Sequence, residues 1–205
     1  MGRQLVPLTA ATLPDLPADC RSCVFWELDP VRGAAAERAG RQSTEKASWI
    51  TAVTLDWGPC GWVAQVDGSP AGYILYAPPA YVPRSGGFPT GPVSSDAVQL
   101  ITGRVEPGYE NEGLGRMLVQ SMARDLLLRE VRAIEVFGDE RWQRSACMLP
   151  TGHLRAVGFE VVRPHPAVPR LRMELKSTVT WRADVELALD RLFGRKGPAP
   201  ALGAS

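Results

Sequence analysis

No stretch of this chain approaches the ~18 consecutive apolar residues that a membrane-crossing helix needs, so no membrane-embedded role is expected. Neither charge is in excess: 23 Lys and Arg stand against 22 Asp and Glu, a formal net charge of +1. The sequence therefore lacks the basic footprint of a nucleic-acid binder or of a polybasic membrane patch. An acidic ligand has to be gripped locally, by backbone amides or a few side chains. Histidine is scarce, with two in 205 residues, and cysteine is limited to Cys20, Cys23, Cys60 and Cys147. Cys20 and Cys23 make a Cys-x-x-Cys pair, but no second pair and no spaced histidines complete a four-ligand zinc site. No metal is expected. The start, Met1-Gly2-Arg3-Gln4, runs into a strand-like stretch broken by Pro7 and Pro14 instead of a signal peptide. Free thiols and a cytoplasmic location are the expectation.

What is present fits a globular chain. An apolar fraction of 45% and a charged fraction of 22% suffice for one sizeable core. The reading is a single α+β domain over residues 1–177. A terminal amphipathic helix over Asp184 to Phe193 and a Gly/Pro/Ala tail, expected to be disordered, follow within residues 178–205.

Gln4 to Thr9 reads as a first strand, and Leu13 to Cys20 as a short helical or turn region. Ala34 to Ala39 is helix-prone up to Gly40. A second helix is expected from Ser43, as N-cap, to Trp57, with Trp49, Ile50, Val53 and Trp57 on one stripe. Trp62 to Val66 and Ala71 to Ala77 read as a hairpin around Asp67-Gly68-Ser69-Pro70. Pro78 to Pro92 holds five prolines and three glycines, which predicts a long surface loop walling a pocket. Val98 to Val105 is the next strand. Gly113 to Arg129 is the clearest helix, its stripe formed by Leu114, Met117, Leu118, Met122 and Leu126. Arg132 to Phe137 reads as a strand, Cys147 to Val157 as an irregular helix, and Phe159 to Arg163 with Arg170 to Leu175 as a closing strand pair.

The chemistry is concentrated in Val105-Glu106-Pro107-Gly108-Tyr109-Glu110-Asn111-Glu112-Gly113-Leu114-Gly115-Arg116. A strand ends, a loop follows and a helix opens at Gly113. Such a helix start leaves orphan backbone N–H groups at the positive end of the macrodipole, which suits a pyrophosphate. Gly113 and Gly115 permit close approach of the chain to a phosphate.

Val-x-Pro-x-Tyr followed by Gly-x-Gly resembles the coenzyme A motif of the GNAT superfamily of N-acetyltransferases, Arg/Gln-x-x-Gly-x-Gly/Ala. Val157-Gly158-Phe159 resembles that family's closing signature, and the element order from Gln4 to Leu175 is similar as well. The resemblance implies a single domain with a mixed, mostly antiparallel central sheet flanked by helices. It also implies acetyl-coenzyme A as co-substrate, bound by Val105 and by Glu110, Asn111, Glu112, Gly113, Leu114, Gly115 and Arg116. The acceptor would be a small amine or a peptide, and a homodimer is compatible with the family. Two departures stand out. Glu110 and Asn111 occupy positions that are usually Arg/Gln and Gly, so acidic and polar groups border a dianionic ligand. Where the family often has a tyrosine acid four residues before the closing Gly, this chain has Leu154.

The missing acid is tolerable on energetic grounds. A thiol of pKa near ~8.5 leaves at pH 7 against only about 2 kcal/mol, whereas an alkylamine of pKa near ~10.4 loses its proton against roughly 4.6 kcal/mol. A base therefore matters more. Glu106, beside the strand position where the family's sheet opens, is the first candidate. Glu27, in the segment that usually walls the acceptor pocket, is the second, and Asp139 is a further carboxylate near the motif strand. Cys147 and His153 are the substitutes for the acid. The Val105 N–H is implied as the donor that polarises the acyl carbonyl. Trp26, Tyr76 and Tyr81 are candidates for an aromatic acceptor wall beside the Pro-rich loop. Three readings follow: a small-amine acetyltransferase, a protein lysine or N-terminal acetyltransferase, and an acyl-CoA-binding module without catalysis.

Overall fold

The computed structural model describes residues 2–110, 112–141, 147–156 and 158–175. Asn111, Val157 and the C-terminal helix and tail expected over 184–205 lie outside them. The element order is β1 (Arg3–Pro7), α1 (Ala18–Arg21), α2 (Pro30–Arg38), α3 (Gln42–Asp56), β2 (Gly61–Val66), β3 (Ser69–Ala77), β4 (Ala97–Val105), α4 (Leu114–Leu128), β5 (Ala133–Asp139), β6 (Leu149–Pro150), α5 (Thr151–Ala156), β7 (Glu160–Arg163) and β8 (Arg170–Glu174). The strands form one sheet in the order β1-β2-β3-β4-β5-β8-β7, with β6 beside β5. Only β4–β5 and β5–β6 are parallel. This is the mixed, mostly antiparallel sheet that the resemblance implies, within the α+β class read from the order of elements.

Two apolar layers cover the sheet. On one face α4 packs Leu114, Leu118, Met122 and Leu126 against Ile74, Leu100, Ile134 and Val136. The four-residue spacing of that stripe lays one helix face on the sheet. On the other face Trp49, Ile50 and Val53 of α3 meet Trp26, Val63, Leu75, Ile101 and Phe137. The β2–β3 hairpin closes through Asp67 (φ 49°) and Gly68 (φ 80°). A two-residue turn with both centres left-handed matches the natural twist of paired strands.

Several local expectations need correcting. Helix α2 begins earlier than Ala34, because the Asp29 carboxylate caps it by accepting from the N–H groups of Val31 and Arg32. Ser43 is not the N-cap of α3; the helix starts at Gln42 after Arg41, with no side-chain cap. Cys147 to Val157 is not one helix: Leu149–Pro150 pairs with β5, and α5 begins only at Thr151. The Pro-rich segment lies mostly at the surface, as expected, but it is structured and anchored at three points. It folds into two 3-10 turns, Pro79–Tyr81 and Pro83–Gly87, and buries Val82, Ser85 and Thr90.

Candidate active site

β4 and β5 share only three register pairs, Ala97 with Ala133, Val98 with Ile134 and Gln99 with Glu135. Beyond them the strands part. β4 runs on to Val105 bonded to β3 alone, while β5 continues along β8 and receives β6 at Gly138 and Asp139. The separation coincides with a bulge in β4: Leu75 pairs with Thr102 and Tyr76 with Leu100, leaving Ile101 as the extra residue. A bulge bends and twists the strand that carries it. The result is a wedge in the middle of the sheet, with a backbone edge on its β4 side that no described strand pairs.

That edge has defined polarity. Val105 pairs with Gly72, and the Glu106 N–H donates to the Ala71 carbonyl at 2.9 Å. This marks Val105–Gly72 as a pair that exchanges no direct hydrogen bonds, so the Val105 N–H points away from β3 into the wedge. Two residues back, the Gly103 N–H points the same way. Side chains alternate along the strand, so Thr102, Arg104 and Glu106 project to the α3 side of the sheet. Arg104 Nε lies 3.2 Å from Glu106 Oε1, and Arg104 Nη1 lies 3.3 Å from Asp19 Oδ2 of α1. Glu106 is half-buried, and its Oε1 has no aligned hydrogen bond. The Arg104 contact is an ion pair, leaving that oxygen's acceptor capacity unused.

At the end of the β4 loop, α4 opens on Gly113, whose φ of 78° lies in the left-handed region. A side chain there is strained, which accounts for glycine. Among the described residues no side chain caps this helix start. A Cβ built at Gly113 meets no atom within 4 Å, so the space above the turn is open. Leu114 and Gly115 are buried, and Arg116 is half-buried on the first turn. Glu110 is exposed. Glu112 is drawn aside by Arg3 of β1, which donates to its carbonyl at 2.5 Å and lies 3.3 Å from Oε2. The acidic border is therefore partly neutralised from a strand 109 residues away in sequence.

The sequence model of the acetyltransferase (GNAT) family matches residues 23–147. The chain belongs to this family. Among solved structures, it resembles the PaiA N-acetyltransferase of Thermoplasma acidophilum in complex with coenzyme A. The TM-score is 0.58 at 11% identity, over 85% of this chain and 99% of that one. It also resembles an N-acetyltransferase of Staphylococcus aureus Mu50, at a TM-score of 0.55 and 12% identity over 86% of this chain and 100% of that one. A third is YncA of Salmonella typhimurium with its cofactor acetyl-CoA, at 0.54 and 13% over 87% and 97%. At these identities the likeness establishes the fold. No curated protein matches the sequence.

For a GNAT acetyltransferase, the uncapped start of α4 and the open space at Gly113 are what a pyrophosphate needs, so the residues present fit coenzyme A. The remaining candidates are spread over several elements. β6 occupies the edge of β5 that β4 leaves, which puts Cys147, two residues before it, at the wedge's side. Cys147 Sγ lies 3.1 Å from Cys23 Sγ, and its carbonyl accepts from Trp26 Nε1 at 3.0 Å. Glu27 is buried and ion-paired with Lys46 Nζ at 2.5 Å, and the same ammonium donates to the Cys23 carbonyl at 2.7 Å. Cys20 shares a hydrogen bond with Tyr73, which stands opposite Arg104, and burial pushes both groups' pKa up. His153 is on the exposed face of α5, and Asp139 closes β5. Leu154, at the position of the family's tyrosine, is core.

The aromatic wall differs from the expected set. Phe88 of the Pro-rich segment stacks on Trp26 with centroids 5.0 Å apart and lies 4.7 Å from Phe137. Tyr81 contributes its carbonyl to Trp49 Nε1 at 2.7 Å. Tyr76 is turned to the opposite layer, where its hydroxyl donates to Asp125 at 2.7 Å. Sequence reasoning missed Lys46, Arg104, Tyr73 and Arg3. Only Lys46 carried a signal, since it falls on the buried stripe of α3 one turn before Trp49.

Proposed function

We propose that this GNAT member transfers an acetyl group from acetyl-coenzyme A to a small amine by direct attack, with both substrates bound together. The observation that carries the reading is the wedge between β4 and β5 with an uncapped helix start at its end. Acetyl-coenzyme A, when bound, supplies the acetyl group as a thioester. The amides of the Glu112 to Gly115 turn would hold its pyrophosphate, and Arg3 would keep the Glu112 carboxylate from opposing it. The Val105 N–H, with that of Gly103, would donate to the acyl oxygen, a contribution of the oxyanion-hole kind.

Glu106 is the residue assigned to take the proton of the amine. It sits one position past Val105, on the α3 side, with Arg104 fixing its orientation. Thiolate release needs no dedicated acid by the energetic argument above. Cys147 is poorly suited to that role, because the hydrogen bond to Cys23 and burial push its thiol pKa up and it holds its proton. A small amine is taken as the acceptor class because the Pro-rich segment folds over the α3 layer and stacks Phe88 on Trp26.

The test is acetyl-CoA turnover against amine and peptide panels, with wild type and Glu106→Gln compared. Activity should appear with small amines, and Glu106→Gln should reduce kcat by about 10²–10⁴-fold, the usual size of a general-base contribution. Coenzyme affinity should be unchanged. Wild-type kcat in the variant across pH 6 to 9 would remove Glu106 from the reaction, and turnover confined to peptides would overturn the acceptor class.

A further inference from the structure

The proposed chemistry leaves a pair of thiols unused. Cys23 and Cys147 are 124 residues apart in sequence, yet their sulfurs lie 3.1 Å apart, closer than two sulfur atoms in simple contact. Both cysteines are free and half-buried, so a small reagent can reach them. Their segments are already tied together. Trp26 Nε1 donates to the Cys147 carbonyl, and Lys46 Nζ donates to the Cys23 carbonyl. The partners are therefore held in place by neighbours whose hydrogen bonds do not involve sulfur. A disulfide needs an S–S distance of about 2.0 Å, so closure requires the sulfurs to approach by only about 1 Å.

We infer that Cys23 and Cys147 form a thiol–disulfide site, which reacts with a small-molecule disulfide and cross-links the Cys23–Glu27 segment to the β5–β6 connection beside the wedge. The chemistry balances in two exchanges. The Cys23 thiolate attacks one sulfur of the reagent, forming a mixed disulfide and expelling one thiolate, which takes up the proton lost by Cys23. Cys147 then attacks the Cys23 sulfur, its proton passing to the second departing thiolate. Two protein thiols are oxidised and one reagent disulfide is reduced to two thiols.

The electrostatics assign the order of attack. The contact with Cys147 lowers the Cys23 pKa from the ordinary thiol range, helped by the Phe25 backbone and Lys46. The same contact and burial push Cys147 up. Cys23 is thus the more readily ionised of the two, and Cys147 the resolving thiol. Cys20, in the Cys-x-x-Cys pair, hydrogen-bonds Tyr73 instead, and burial raises its pKa.

The full chain is treated with oxidised glutathione and digested without reduction. The expected product is a Cys23–Cys147 linked peptide pair with two free thiols fewer per chain. A Cys20–Cys23 link, or glutathione retained on Cys23 with no protein cross-link, would overturn the proposal. A second measurement does not depend on oxidation. The rate of Cys23 alkylation by iodoacetamide, followed by peptide mass against pH, should rise with a midpoint below the ordinary thiol value of about 8.5 and shift upward by one or more units in Cys147→Ala. A midpoint near 9 in wild type, or one unmoved in the variant, counts against the pair. The oxidised chain should also melt roughly 10 °C above its reduced form, because the link closes a long loop in the unfolded state. Equal melting temperatures would contradict a link between these two segments.

Discussion

Lys46 and Glu27 are buried together under the α3 layer, with side-chain exposures of 5% and 2%. Removing one charge of such a pair leaves the other without compensation in a low-dielectric site, at a cost of about 3–5 kcal/mol. Lys46→Met should therefore lower unfolding free energy by that amount in urea titrations. Lys46→Met combined with Glu27→Gln should recover most of it, because the uncompensated carboxylate is gone. A single variant as stable as wild type, or a double variant no better than the single, would contradict this. Glu27 Oε2 is buried without a hydrogen bond, so any role for it beyond holding Lys46 begins from that oxygen. At this scale the sequence is only partly readable. Glu106 and Gly113 are marked by a contiguous motif, whereas Arg3–Glu112 and Cys23–Cys147 are contacts across 109 and 124 residues, set by strand order.

Among the elements, α4 was the most legible, because its apolar stripe and Gly start are local signals that burial reinforces. The start of α3 was not, since a serine capping signal at position 43 competes with a helix that starts two residues earlier. The Pro-rich segment was legible as a surface connection, but its anchoring was not: composition reports backbone restriction, but not that Val82 and Thr90 are buried and that Phe88 meets Trp26. Because the segment is anchored by buried Val82 and Thr90, the informative change within it is Phe88→Ala. If the Trp26–Phe88 face contacts the acceptor, this variant should raise the acceptor KM about tenfold, while acetyl-CoA affinity stays within about twofold. An aromatic contact of this kind contributes roughly 0.5–1.5 kcal/mol beyond its buried area. An unchanged KM would place the acceptor elsewhere on the α3 side.

For the whole molecule, the decisive feature is that a sheet of eight strands is opened at one place. Element order and the motif made the wedge's location readable from sequence, at the β4 to α4 junction. The bulge at Ile101 and the substitution of β6 for β4 along β5 were not readable, because neither leaves a pattern in composition or periodicity. These features arrange an open amide edge, a helix start and a carboxylate in sequence along one strand and its following loop. If that arrangement is a coenzyme site, ligand binding must stabilise the fold by mass action, about 2.7 kcal/mol at 100 times Kd. For a chain of this length that is roughly 5–10 °C in Tm.

The measurement is a thermal melt of wild type and Gly113→Val with and without acetyl-CoA. Valine at a φ of 78° distorts the turn and fills the open space above it, so each variant is compared with its own ligand-free melt. Wild type should gain roughly 5–10 °C at about 100 times Kd and Gly113→Val should gain nothing. An equal gain in both proteins would contradict the assignment of the α4 start as the coenzyme site.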